Sequence, residues 1–160
     1  MISMPTNLVI LAGIPGCGKS TYADSFFRWK GYSIVSSDEI RRRHAGSVKD
    51  AFEVGYTPWD EFYERIDNQL RMGVDTVADA TFLTVKHRTR AREVAEKWDA
   101  DTHFVMFKNV IDALERNKTR PDDARLSEEV LEGMMGLYWD TLARLPQEWY
   151  TTLTTIEQFR

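Results

Sequence analysis

The sequence predicts an α/β domain, a parallel β-sheet flanked by helices, on three observations. Leu8-Val9-Ile10-Leu11-Ala12 is a continuous apolar run that ends at a glycine. Such runs suit strands covered on both faces, as in parallel sheets. Strand-like segments then alternate with segments of helical periodicity, which is the signature of βαβ units. Finally, Gly13, Asp38 and Asp79 each fall at or just beyond the carboxyl end of a predicted strand. Open α/β sheets bind their ligands there.

The elements follow in order. After Leu8–Ala12 comes a glycine-rich loop, then a helix from Lys19 or Ser20 to about Trp29, broken by Gly31. Tyr32–Ser36 reads as the second strand. Ser36-Ser37-Asp38-Glu39 opens a helix, because hydroxyls cap and acids suit the first turn. Val48–Pro58 reads as irregular. Phe62, Ile66 and Leu70 recur at helical spacing and predict a helix over about Pro58–Met72. Val74–Ala80 is the third strand. Ala91, Val94, Ala95 and Trp98 mark the inner face of a helix that begins near Thr84, and Thr102–Phe107 is the fourth strand. A short helix over Val110–Asn117 precedes a polar, cation-rich loop at about 118–126. Ser127 with Glu128 and Glu129 starts a last helix, whose inner face is read as Val130, Met134, Tyr138 and Leu142. Trp149–Ile156 is read as a final edge strand.

The chain of 160 residues is expected to be one domain, 1–160, with the loop at 118–126 as a lid. Its net charge of −4 argues against indiscriminate nucleic-acid binding, though a local basic groove is compatible with it. Cys17 is the single cysteine, so no intramolecular disulfide can form, which fits a reducing compartment. Met1–Asn7 carries no positive segment before the apolar run, and that run is too short for a signal peptide or membrane span. The expectation is a cytoplasmic protein without a membrane partner. Its oligomeric state is left open.

Gly13-Ile14-Pro15-Gly16-Cys17-Gly18-Lys19-Ser20 matches Gly-x-x-x-x-Gly-Lys-Ser between a strand and a helix. Glycines there let backbone amides wrap phosphate oxygens, and the helix N-terminus adds partial positive charge. Lys19 is placed to reach β- and γ-phosphates, and the Ser20 hydroxyl to ligate Mg²⁺. The implied ligands are ATP and Mg²⁺. Cys17 reads as a small side chain at a permissive position rather than a reactive thiol.

Asp38 follows the second strand. An acid there either accepts the proton of an attacking hydroxyl or simply decorates a helix start. Arg41 lies one turn on and shares its face. The neighbouring Arg42, Arg43 and His44 cannot all point into one cleft, at about 100° per residue.

These residues together resemble the phage 5′-hydroxyl polynucleotide kinases. Residues Gly13 to Ala23 are similar to that family's phosphate loop. Ser37-Asp38-Glu39-Ile40-Arg41 is similar to its acid-plus-arginine motif, Asp79-Ala80-Thr81 to its third-strand motif, and Arg116-Asn117-Lys118-Thr119-Arg120 to its lid segment. The resemblance runs from about Leu8 to Leu145. It implies a P-loop NTPase-type fold with a helical or loop lid. It implies Asp38 as general base, Arg41 as a clamp on substrate and transferring phosphate, and Arg120, with Arg116, over the ATP phosphates. Asp79 and Thr81 would help bind the acceptor, while Asp79 at its strand end either holds a Mg²⁺-bound water or caps the following helix. The chain departs from the family at Phe82, where asparagine is frequent, and is too short for the family's separate phosphatase domain.

For the acceptor, Arg88 and Arg92 lie one turn apart. They either grip acceptor phosphates or form a solvated helix face. Trp59 and Phe82 are the candidates for stacking on a base. The expected partner is a nucleic acid, DNA or RNA, phosphorylated at its 5′-hydroxyl end. Alternatives are a kinase for the hydroxymethyl group of a modified base in phage DNA, a small-molecule or toxin-like P-loop kinase, and a non-catalytic nucleotide switch.

Overall fold

A computed structural model describes residues 4–158. The expectations for Met1–Asn7 and for a domain over 1–160 therefore extend, at positions 1–3 and 159–160, outside the described residues. The strands are β1 (Asn7–Ala12), β2 (Ser33–Ser36), β3 (Thr76–Asp79), β4 (Asp101–Phe107) and β5 (Thr152–Ile156). They form one sheet in the order β2-β3-β1-β4-β5. Every pairing is parallel. The helices are α1 (Lys19–Phe26), α2 (Ser37–Ala45), α3 (Val48–Glu53), α4 (Trp59–Arg71), α5 (Val85–Lys97), α6 (Val110–Thr119) and α7 (Glu128–Arg144).

Leu8, Ile10, Leu11 and Ala12 are all 0% exposed, because β1 is the central strand and is covered on both faces. Phe62, Ile66, Phe104 and Met106 close over it from the flanking elements. Each such side chain contributes about 1.5–3 kcal/mol on burial. By contrast β5 is one of the two edge strands, and its Thr-rich sequence stays mostly exposed, which suits a strand with one free side.

The register explains the site. Asp79 pairs across to Leu11 on one side and to Ser36 on the other. The carboxyl ends of β1, β2 and β3 therefore finish in one row. The residues immediately beyond, Gly13, Asp38 and Thr81, emerge side by side.

Three local readings change. The first helix ends at Phe26, and a short 3₁₀ turn over Arg28–Lys30 follows. Phe27 leaves the helical path to pack on Tyr32, with ring centroids 5.0 Å apart. Val48–Pro58 is not wholly irregular, since its first half is α3, capped by the Ser47 hydroxyl accepting from Asp50 N at 3.0 Å. On α7 the buried residues are Leu131, Tyr138 and Thr141, while Val130 is exposed. Met134, Tyr138 and Leu142 of the predicted stripe do pack on the core, and only its first position moves, from Val130 to Leu131.

Candidate active site

The loop after β1 is shaped by glycines at two crowded points. Gly13 has φ 155°, and a Cβ there would lie 2.9 Å from Cys17 Sγ and 3.0 Å from Phe107 Cβ. Gly16 has φ 91°, and its Cβ would meet the Ala113 carbonyl oxygen at 3.0 Å. Side chains are excluded, so backbone lines the concavity. Pro15, Gly16, Gly18, Lys19, Ser20 and Thr21 face an open cleft of about 590 Å³. Ile14 and Cys17 are buried beneath it.

The loop is braced from outside. Asn109 Nδ2 donates to the Cys17 carbonyl at 2.8 Å, and Arg116 Nη1 donates to the Gly16 carbonyl at 3.1 Å. The Asn109 contact was not anticipated, since nothing local in the sequence links it to a residue 92 positions earlier. Lys19 Nζ donates to the Gly13 and Ile14 carbonyls at 3.0 and 3.3 Å. The amine is thus folded over the loop that would hold phosphate.

Ser20 Oγ donates to Asp79 Oδ2 at 2.8 Å. Asp79 is 5% exposed. Burial pushes its carboxyl up, against the opposing influence of Lys19 and the Ser20 hydrogen bond. These two hard oxygen donors beside the loop fit a Mg²⁺ ion that also takes phosphate oxygens and water. Such an ion would add positive charge beside the buried carboxylate. Among the described residues no group of three or more His, Cys, Asp or Glu side chains is placed to hold a metal by itself.

Asp38 stands in the first turn of α2. The Ser36 hydroxyl caps this helix by accepting from Glu39 N at 3.2 Å. Glu39 turns to Arg43 at 3.3 Å instead of completing a capping box. Asp38 Oδ1 accepts from Arg41 Nη1 at 2.9 Å. The Arg41 guanidinium is 4.5 Å from the Phe52 ring centroid and 5.3 Å from that of Trp59. Arg43 and His44 pair with Glu39 and Glu61, and Arg42 is exposed. Of this cationic run, Arg41 alone lines the cleft.

Arg120, at the end of α6, also lines the cleft. The loop it opens is pinned by Asn117, whose side chain donates to Leu126 O at 2.9 Å and accepts from Leu126 N at 3.0 Å. Lys118 pairs with Glu115 at 2.9 Å, and Arg125 with Asp122.

Three residues offered for the acceptor, Arg88, Arg92 and Phe82, are engaged elsewhere. Arg88 is 0% exposed and cannot grip a substrate phosphate. Its guanidinium donates to Glu148 Oε1 at 2.9 Å, to Thr141 Oγ1 at 2.9 Å and to the Phe82 carbonyl at 3.1 Å. Arg92 joins the same cluster through Glu148 and Tyr150. Burial opposes ionisation of Glu148, yet hydrogen bonds from Arg88, Tyr150 and Arg92 hold its carboxyl below the usual range. Phe82 is 1% exposed and has φ 49°. Its ring packs inward toward Phe62, with centroids 6.0 Å apart, so it offers no stacking face to a ligand. Thr81 does line the cleft, and its carbonyl accepts from Gly13 N at 3.0 Å. Sequence reasoning missed Phe52, which lines the same cleft from α3.

A buried parallel strand, a glycine-shaped anion loop, a helix opening with Lys-Ser, and an acid on the neighbouring strand define a P-loop nucleotide-binding domain of α/β type. The chain belongs to the AAA domain family, whose profile matches residues 8–139.

A viral protein of Autographa californica nuclear polyhedrosis virus, named for both polynucleotide kinase and RNA ligase, is 27% identical over 157 residues. That match covers 82% of this chain and 21% of the relative, so the chain spans about a fifth of its length. Two solved structures share the fold. One is the Pnkp1/Rnl/Hen1 RNA repair complex, with TM-score 0.74, 21% identity, 90% of this chain and 47% of the other covered. The second is a gluconokinase from Sinorhizobium meliloti 1021, with TM-score 0.65, 18% identity and coverages of 97% and 85%. The chain is thus similar to polynucleotide kinases and shares its fold with a small-molecule kinase. Among the described residues no helix is long and apolar enough to cross a membrane.

Proposed function

We propose that the protein is an ATP- and Mg²⁺-dependent kinase that transfers the γ-phosphoryl group to a hydroxyl of a nucleic acid, the 5′-hydroxyl end of DNA or RNA. The observation that carries this reading is the Asp38–Arg41 pair at 2.9 Å, lining the same cleft as Lys19 and Ser20. A nucleotide sensor needs the loop alone, whereas a phosphotransferase also needs a base and cations facing the transferred group.

In the proposed reaction the loop amides and Lys19 hold the β- and γ-phosphates of ATP. Mg²⁺, when bound, would neutralise phosphate charge, with Ser20 and Asp79 as its protein contacts. Asp38 accepts the proton of the acceptor hydroxyl. That oxygen forms its bond to the γ-phosphorus as the bond from phosphorus to the bridging oxygen breaks, and ADP keeps the electron pair. Arg41 and Arg120 face charge spread over the transferring group, the role in which fixed donors contribute most. The loop at 118–126 acts as a lid that excludes water, the competing acceptor. Lys19, Arg41, Arg116 and Arg120 make up a local basic groove in a chain of net charge −4.

The name of the viral relative supports a polynucleotide acceptor. Burial of Phe82 removes one of the two rings expected to meet a flipped modified base. The fold shared with a gluconokinase keeps sugar acids in the test. Acceptors offered with γ-labelled ATP should include 5′-hydroxyl DNA, 5′-hydroxyl RNA, end-blocked DNA with internal hydroxymethyluracil, and gluconate. Label on the 5′-hydroxyl strands is expected. Label confined to gluconate or to the end-blocked DNA would overturn the proposal.

A further inference from the structure

Beyond Asp38, the wall of the cleft is aromatic. Trp59 opens α4 and lines the cleft. Its ring is fixed from behind by His87, with centroids 4.0 Å apart, and by the edge of Phe62 at 5.6 Å. Phe52, on α3, lines the cleft as well and is 51% exposed. Leaving so much of a phenyl ring in water forgoes its burial energy. Arg41 lies against both rings, at 4.5 and 5.3 Å, and is itself 9% exposed. Its Nε is a buried donor without a hydrogen-bond partner. A buried N–H of this kind ordinarily finds a partner, protein or otherwise. The backbone of α3 is tied to the loop after Arg120 through Lys49 N donating to the Asp123 carbonyl at 3.2 Å. The aromatic wall is therefore attached to both the base-bearing helix and the nucleotide-side loop.

The geometry points to a stacking subsite formed by Phe52 and Trp59 around Arg41, which takes the planar nucleobase next to the acceptor hydroxyl. This deepens the kinase reading above and rests on it. The ion pair between Arg41 and Asp38 keeps the subsite close to the proton acceptor. A planar guanidinium between rings is a stiff platform, and every base has a π-face for it, so the subsite reads the presence of a base and not its identity. A phosphate would be met by Arg41 but gains nothing from the two rings. Phe52 carries the free surface, since Trp59 is engaged by His87 and Phe62.

The test compares two fluorescent 5′-hydroxyl oligonucleotides, one with a normal 5′-terminal nucleotide and one abasic at that position. Binding is read by anisotropy and transfer by γ-labelled ATP. Phe52 is exposed and its replacement leaves the core intact. Phe52→Ala is expected to weaken binding and raise KM for the base-bearing strand by roughly 5- to 100-fold. It should leave the abasic strand and KM for ATP within about twofold, and Phe52→Trp should restore the base-bearing strand. Equal losses on both strands, or no loss on either, overturn the subsite. Base-dependent binding with no label on any nucleic acid supports the subsite and overturns the kinase reading. Label transfer indifferent to the terminal base overturns the subsite alone.

Discussion

The Ser20 hydroxyl donates to the Asp79 carboxylate across 2.8 Å, which joins the start of α1 to the end of β3. Asp79 is buried, and burial raises its pKa above the ordinary value near 3.8. A group with a raised folded pKa contributes stability that is complete below its unfolded value and lost as pH rises through the folded one. Asp79→Asn removes that loss. In melts of the nucleotide-free protein the variant should match wild type near pH 4 and exceed it at pH 7.5. Mg²⁺ with nucleotide should then raise the melting temperature of wild type more than that of the variant, and EDTA should erase the difference. A variant that melts well below wild type at pH 7.5 would contradict this balance.

Arg88 and Glu148 are placed as a buried structural pair, with side chains 0% and 10% exposed. Removing one partner strands the other charge, at a cost of about 3–5 kcal/mol. Arg88→Ala and Glu148→Ala should each lower the melting temperature by roughly 10 °C in a domain of this size. The pair Arg88→Met with Glu148→Leu should recover much of that loss, because the fully buried charge goes with its partner and Arg92, 26% exposed, keeps access to water. Near-wild-type stability in Arg88→Ala would return this arginine to the list of substrate contacts.

Arg120 faces the cleft from the end of α6, and among the described residues its guanidinium has no ion-pair partner. A cation that serves the transferring group acts more on kcat than on nucleotide affinity. Arg120→Ala should lower kcat by about 10²- to 10³-fold, with a much smaller change in the dissociation constant for ATP. A variant with unchanged kcat would place Arg120 outside the reaction.

Which features were readable in the sequence follows from how local their causes are. The phosphate loop was readable because an apolar run, a fixed spacing and a helix start coincide within about a dozen positions. Asp38 and Asp79 were readable because strand ends could be placed, and the register then aligns Asp79 with both Ser36 and Leu11. Arg88 was misread because its partner Glu148 is 60 residues away, so an inward arginine looks like any helical cation. Phe82 was misread because positive φ in an aromatic residue leaves no trace in composition. Phe52 was missed because α3 has only six residues and buries just Val48 and Ala51, too few to register as a periodic face.

The central claim is that Asp38 activates a nucleic-acid hydroxyl against ATP held on the loop from Gly13 to Ser20. A single-turnover experiment tests it most directly, with γ-labelled ATP prebound in excess enzyme and a 5′-hydroxyl oligonucleotide then added. Wild type should transfer label to the strand in one exponential phase, while Asp38→Asn should bind ATP equally and transfer about 10²- to 10⁴-fold more slowly. Equal rates in the two proteins, or label released to water with none on the strand, would contradict the claim.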